Sequence, residues 1–317
     1  MKPSFSYISQ IKADSINQED IMTTTITVAG ATGNLGKRTV KALLARGANV
    51  VALARTGTSD EKIKELEGLG AKVAVVNMTD VAAMSAAMVG AACVVSILQG
   101  LHDVIVETQS VLLDAAVAAG VPRFIPSDFS TDFTNLTPGE NRNFDLRREF
   151  HKKLDAAPIA LTSIFNGAFA EILTYNVPLL DFQKKTVGYW EDADYFIDFT
   201  TMDDTAAFTA AAAMDAAAPR ALRIASFQVS AKDLVEFTGK TFPAPFELVR
   251  LGDVEDLRAH NKAARAAHPE GEQDLYSDWQ QGQYMQSMFS SHHASLDNDR
   301  YPGLTWTKLE QAVQPRG

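Results

Sequence analysis

Apolar residues come in short β-branched runs separated by stretches of helical spacing, and the alternation begins at residue 25. Thr25, Ile26, Thr27, Val28 and Ala29 are small or β-branched, which suits a strand covered on both faces. From Leu35 onward, Leu35, Val40, Leu43 and Leu44 mark one helical face, and Gly47 supplies a left-handed stop. Further strands are predicted at Val50–Arg55, Ala71–Val76, Ala92–Leu98, Val121–Ser127 and Ile159–Phe165. Helices are predicted over Ser59–Leu69, over an Ala- and Met-rich segment that Asp80 can cap, over Asp103–Ala119 and over Asn143–Asp155. Repeated strand–helix units predict an α/β fold with a doubly wound parallel sheet.

From Asn166 the rhythm weakens. Strands are expected at Tyr195–Thr200, Leu222–Val229 and Phe246–Leu251, with helices between and after them at DDTAAFTAAAAMDA, behind a Ser230/Asp233 cap, at Asp253–Ala267 and at Asp274–Phe289. The reading divides the chain into a dinucleotide-binding domain over 23–165, to which 195–228 returns, and a smaller C-terminal α+β substrate lobe over 166–194 and 229–317. Residues 1–22 are polar and irregular and are expected to form a mobile extension.

The first turn suggests a ligand. Gly30, Gly33 and Gly36 lie three residues apart between a strand and a helix. Glycines let the backbone approach an anion, and a helix start offers free N–H groups and partial positive charge. The spacing is GxxGxxG rather than GxGxxG, but the strand–turn–helix context is that of an NAD(P)-binding Rossmann fold. The second strand ends in Arg55, where an acid would favour NAD; a guanidinium there suits the 2′-phosphate of NADP(H). A solvated surface arginine is the alternative. The fourth strand runs into Gln99, Gly100, Leu101 and His102, where the strand order should reverse and a crevice open. His102 is thus a candidate proton-transfer residue, or a polar loop residue beside a helix cap at Asp103.

Composition narrows the classes. The 317 residues are 46% hydrophobic and 21% charged, with a net charge of −10 and no basic run, which argues against a nucleic-acid partner. No apolar run reaches membrane-spanning length. The single cysteine, Cys93, sits in an apolar run and fits a core position in a reducing, cytoplasmic setting. His292 and His293 are adjacent and would diverge on a helix, so no metal is expected. No G-x-S-x-G elbow or P-loop Gly-Lys-Ser/Thr is present. A monomer or homodimer acting on a small molecule is expected.

VAGATGNLGKR, VVALAR, ACVVSIL, AAVAAGVPRFIPSDFS and SIFNGAFAEIL, in this order, resemble the NmrA-like and isoflavone-reductase-like branch of the atypical short-chain dehydrogenases/reductases. The resemblance implies that Gly30, Thr32, Gly33, Asn34, Leu35, Gly36 and Arg55 hold NADP(H), with Ser96, Leu98 and Gln99 beside the nicotinamide half. It implies that Ser127, Asp128 and Phe129 line the inner crevice, and that Asn166, Gly167 and Phe169 face the substrate. Reductases of this family carry a lysine just before an apolar–Arg–Arg segment. Anchoring on Leu146, Arg147 and Arg148 places Asn143 there, and an amide has no proton to give at neutral pH. His151, Lys152 and Lys153 lie about two turns further on; recruitment of Lys152 would restore an amine. The Tyr-x-x-x-Lys pair of classical relatives is absent at Tyr175, Tyr189 and Tyr195. Two functions follow: an NADPH-dependent reductase of an aromatic, unsaturated carbonyl or benzylic substrate, or a non-catalytic NADP(H)-sensing regulator of the NmrA type.

Overall fold

A computed structural model describes residues 23–314; the extension predicted over 1–22 lies outside them. Six parallel strands form the main sheet: β1 (Thr25–Ala29), β2 (Asn49–Arg55), β3 (Lys72–Val76), β4 (Cys93–Ser96), β5 (Arg123–Ile125) and β6 (Ala160–Leu161). Their spatial order is β3-β2-β1-β4-β5-β6, so the order reverses between β1 and β4. The crevice of such a sheet lies at the carboxyl ends of those two strands.

β1 is buried from Ile26 to Ala29, and its alternate residues serve two cores. Ile26 and Val28 join Cys93 and Val95 on one face, packed under α1 (Asn34–Ala45) and α6 (Met202–Met214). Ala29, Leu53 and Val94 join the opposite face, beneath α3 (Val81–Met88), α4 (Gln109–Ala118) and α5 (Arg142–Leu154). The alanine-rich α6 is buried along Thr205, Ala206, Phe208, Thr209 and Ala210–Ala213, and its small side chains let it lie directly on α1. It is a core helix.

Several predicted elements divide. Ile159–Phe165 becomes β6 and β7 (Ser163–Phe165) because its neighbours change: the Thr162 N–H donates to Phe124 O at 3.1 Å, and the Ser163 N–H donates to Arg220 O at 2.9 Å. Successive N–H groups of a strand point to opposite edges, so one stretch serves β5 on one edge and β11 (Ala221–Arg223) on the other. The predicted strand Leu222–Val229 splits into β11 and β12 (Phe227–Val229). Asn298 takes both backbone groups of Ala225, accepting at 3.3 Å and donating at 2.8 Å, and so replaces a strand partner. The helix expected over Asp103–Ala119 opens with a wide π turn at Asp103–Thr108, where the Thr108 hydroxyl bonds Asp103 O at 2.8 Å. His102 occupies the cap position there, and its side chain makes no capping bond.

The remaining strands form two small sheets. β10 (Ile197–Thr200) lies between β8 (Ala168–Phe169) and β12, and β9 (Thr186–Trp190) pairs with β13 (Glu247–Gly252). Around them pack α7 (Ala231–Thr241), α8 (Val254–Ala267) and α9 (Asp278–Met288) over a separate core that includes Leu173, Trp190, Phe199, Phe237 and Phe289. The aromatic helix expected from Asp274 starts at Asp278 instead, because Pro269–Gln273 forms a short 3-10 turn and a loop follows.

Candidate active site

The glycine turn after β1 is shaped by contact, not by flexibility. Gly30 has φ +81°, and a Cβ there would lie 2.2 Å from Ile97 O. A Cβ on Gly36 would lie 2.1 Å from Gly30 O, so its absence lets the first turn of α1 rest on the strand end. Gly33 occupies the N-cap, and no side chain caps the helix. Leu35 is buried beneath the turn, Thr32 is half-buried, and Asn34 is exposed with its Oδ1 accepting from Arg38 Nε at 3.0 Å. An uncapped helix start behind a backbone cradle suits a pyrophosphate. At the end of β2, Arg55 is exposed and bonds no other described side chain. Its Thr56-Gly57-Thr58 turn folds back, with the Thr58 hydroxyl on Arg55 O at 2.7 Å. Those residues fit the diphosphate and 2′-phosphate of NADP(H).

The other wall is the end of β4. Ser96 is buried with its hydroxyl unpartnered, Leu98 is half-buried, and the Ser127 hydroxyl donates to Leu98 O at 2.6 Å. Gln99 is exposed and donates from Nε2 to the Tyr276 hydroxyl oxygen, joining the β4 end to a loop 177 residues away. Ser127 is tied down further: its N–H donates to Gln109 Oε1 at 2.9 Å and its carbonyl accepts from Arg147 Nε at 3.0 Å.

Asp128, expected to line the crevice, is fully buried and accepts a 2.7 Å contact from His151 Nε2 of α5. Burial alone would push its carboxyl up, but His151, the Ser163 hydroxyl and Arg147 together hold it below the ordinary carboxylate range. Its charge is held inside the fold, behind the crevice. Phe129 is likewise in the core of one sheet face, and Phe169 packs half-buried against that core. Gly167 has φ +63° and abuts Asp198 backbone, where a Cβ would lie 2.4 Å from Asp198 O. Asn166 is buried with both amide atoms unpartnered and its carbonyl accepting from Thr200 Oγ1 at 2.6 Å.

Asn143 is the second residue of α5. Asn141 caps the helix, its Oδ1 accepting from Asn143 N at 3.1 Å and Phe144 N at 3.3 Å. The Asn143 amide is fully engaged: Nδ2 donates to Tyr284 Oη at 3.0 Å and Leu275 O at 3.3 Å, and Oδ1 accepts from Arg142 Nε at 3.0 Å. A lysine at 143 would set its ammonium against the Arg142 guanidinium. The other two proton-transfer candidates stand elsewhere. Lys152 is exposed nine residues along α5, which puts it about 13 Å away and on the opposite face. His102 is exposed between Glu107 (3.3 Å) and Glu149 (3.1 Å). Lys153 pairs with Asp114 at 2.8 Å.

Sequence reasoning missed Tyr276 and gave Tyr284 no role of its own. Their rings lie 6.5 Å apart, one touching Gln99 and the other Asn143. Only the spacing of Tyr276 just ahead of an aromatic helix could have signalled it. A cleft of about 590 Å³ lined by Arg46, Ala211, Met214, Asp215, Arg300 and Tyr301 collects none of the candidate residues. Among the described residues no group of three or more His, Cys, Asp or Glu is placed to hold a metal, and no helix is long and apolar enough to cross a membrane.

The comparisons agree with this architecture. The chain belongs to the NmrA-like family, whose model matches residues 22–266. It is 26% identical to pinoresinol reductase 1 of Arabidopsis thaliana over 92% of this chain and 96% of that one. The structure of AtPrR2 with NADP+ and (+)-pinoresinol superposes with a TM-score of 0.72 at 24% identity, covering 90% of this chain and 96% of that chain. The leucoanthocyanidin reductase–NADPH complex from Vitis vinifera gives 0.73 at 20% identity, covering 90% and 96%. The fold is thus shared with structures that hold NADP+ or NADPH, and the curated relative is a reductase.

Proposed function

We propose that this protein is an NADPH-dependent reductase of a small phenolic or aromatic substrate, with hydride directed to an unsaturated, carbonyl or benzylic carbon. The observation that carries the reading is a chain of contacts at the β4 end: Gln99 meets Tyr276, whose ring lies 6.5 Å from that of Tyr284, and Tyr284 bonds Asn143, so a polar, aromatic wall stands at the strand end where a nicotinamide would lie. The pinoresinol seated in the similar AtPrR2 structure is a ligand of that chemistry.

In this reading Gly30, Thr32, Gly33, Asn34, Leu35 and Gly36 with the start of α1 hold the diphosphate, and Arg55 holds the 2′-phosphate. Ser96, Leu98 and Gln99 flank the nicotinamide, which when bound supplies the hydride. Ser127 and Asn166 stand at the strand ends that a substrate would meet. Asn143 orients the Tyr284 phenol and has no proton of its own to transfer. The division into a dinucleotide unit over 23–165 with 195–228, and a lobe over 166–194 and 229–317, is supported by α6 packing on α1, while Ile197 and Phe199 of β10 pack instead in the core of the C-terminal elements.

A single-turnover assay tests the reading. Protein saturated with NADPH is mixed with quinones, enones, and benzylic ethers including (+)-pinoresinol, and nicotinamide absorbance is followed. Decay confined to one class names the chemistry. A flat trace across the panel, with NADPH demonstrably bound, refutes the reductase and leaves the NADP(H)-sensing regulator.

A further inference from the structure

A reduction that leaves negative charge on a substrate oxygen needs a proton donor, and Asn143 is not one. Two phenols stand beside it. The Tyr284 oxygen accepts from Asn143 Nδ2 at 3.0 Å, and its ring packs edge-on to Phe144 at 5.4 Å, which holds it toward the inside. Tyr276 is 51% exposed and its oxygen accepts from Gln99 at the end of β4. Because that oxygen is the acceptor, the Tyr276 O–H remains free to donate.

The loop that carries Tyr276 is held firmly. The buried Arg142 guanidinium donates to the carbonyls of Gly271 (3.0 Å), Glu272 (3.2 Å), Asp274 (2.9 Å) and Leu275 (3.2 Å), and lies over the Trp279 ring at 4.9 Å. Arg142 also bonds the Asn143 amide at 3.0 Å, so one side chain fixes the start of α5 and the loop together. A planar cation satisfying four carbonyls sets the loop's position far more tightly than packing alone.

We propose that Tyr276 is the proton donor of the reduction. As hydride forms a C–H bond at the substrate carbon, the displaced electron pair settles on the substrate oxygen. The Tyr276 O–H transfers its proton there, and the phenolate left behind regains a proton from water at its exposed edge. NADPH is oxidised by two electrons and the substrate reduced by two. The inference rests on the reductase reading above. Burial first, then the Tyr284 phenol, push the Tyr276 phenol up, against smaller opposing effects of Arg147 and Gln99, so it is protonated throughout the neutral range.

The test is Tyr276→Phe, which keeps the ring, checked for an unchanged melting temperature and NADPH affinity. One readout needs no turnover: binding of 4-nitrophenolate, an oxyanion that accepts the Tyr276 hydrogen bond, to the NADP+-loaded protein. It should weaken at least about tenfold in the variant, as for a lost hydrogen bond to a charged group. The other is kcat against pH with an enone and with 1,4-benzoquinone. For the enone, kcat should fall on the order of 10²-fold with KM little changed, and the alkaline limb should vanish. Benzoquinone, whose reduced anion is only as basic as a phenolate, should suffer much less. Retention of both enone turnover and nitrophenolate binding overturns the proposal, as does transfer of the whole loss to Tyr284→Phe. A wild-type chain that binds NADPH yet reduces nothing defeats the reductase reading instead.

Discussion

Under the proposed reading, Arg55 is the side chain at which a single substitution would separate two cofactors. It is exposed at the end of β2 and free of described partners, so nothing in the fold needs its charge. Arg55→Ala should weaken NADPH by about 1.5–3 kcal/mol, the range for a hydrogen bond to a charged group, and leave NADH nearly unchanged. Parallel titrations with both cofactors check this, and equal losses would remove Arg55 from the 2′-phosphate. Asp128 is the opposite case, a charge the fold does need. Its carboxyl lies below the ordinary range when folded, so its contribution to stability is complete above the unfolded value near ~3.9 and drains away as pH falls through the depressed folded value. Asp128→Ala should destabilise by about 1.5–3 kcal/mol at neutral pH, because His151 Nε2 loses its hydrogen bond to the carboxylate. The difference between variant and parent should shrink in acid, which urea melts across pH would show.

The strand–turn–helix unit shows why backbone contacts were legible and side-chain partnerships were not. Three glycines between a β-branched run and an apolar helix face announced a cradle, and β1 occupies Thr25–Ala29 as read. The requirement behind them is local: the Cβ of residue 36 would meet the carbonyl of residue 30. Gly36→Ala should therefore push α1 outward, cost about 1–3 kcal/mol in melting experiments and lower NADPH affinity more than tenfold. Normal binding in this variant would place the diphosphate elsewhere. By contrast, the splitting of Leu222–Val229 depends on Asn298, 73 residues from the Ala225 groups it bonds, and no periodicity within the strand records it. The Gln99–Tyr276 and Asn143–Tyr284 contacts span 177 and 141 residues, so the crevice's floor was readable and its opposite wall was not.

That opposite wall is joined to the sheet by a polar seam. Gln280, Gln283 and Ser287, on one face of α9, bond Asn141 Oδ1 (3.0 Å), Arg142 N (3.1 Å) and Asn141 Nδ2 (3.2 Å). Gln286 reaches Glu140 at 3.0 Å and Asn261 at 3.2 Å, so α8, α9 and the start of α5 share one network. An apolar seam of equal area would hold the lobe as well but could slide; buried amides with fixed donors and acceptors admit one register. Arg142 closes this seam. Arg142→Ala should free the four carbonyls it binds, cost about 1.5–3 kcal/mol and speed amide exchange across 271–277 and 141–144. Amides of β1, β2 and β4 should keep their protection, because their cores lie on the sheet faces away from α9. NADPH should then bind nearly as before while substrate reduction slows, since the cofactor cradle stays intact and only the wall bearing Tyr276 loosens. Loss of protection in the sheet as well would mean that the lobe and the sheet unfold as a single unit, and that the seam stabilises the whole molecule rather than the site.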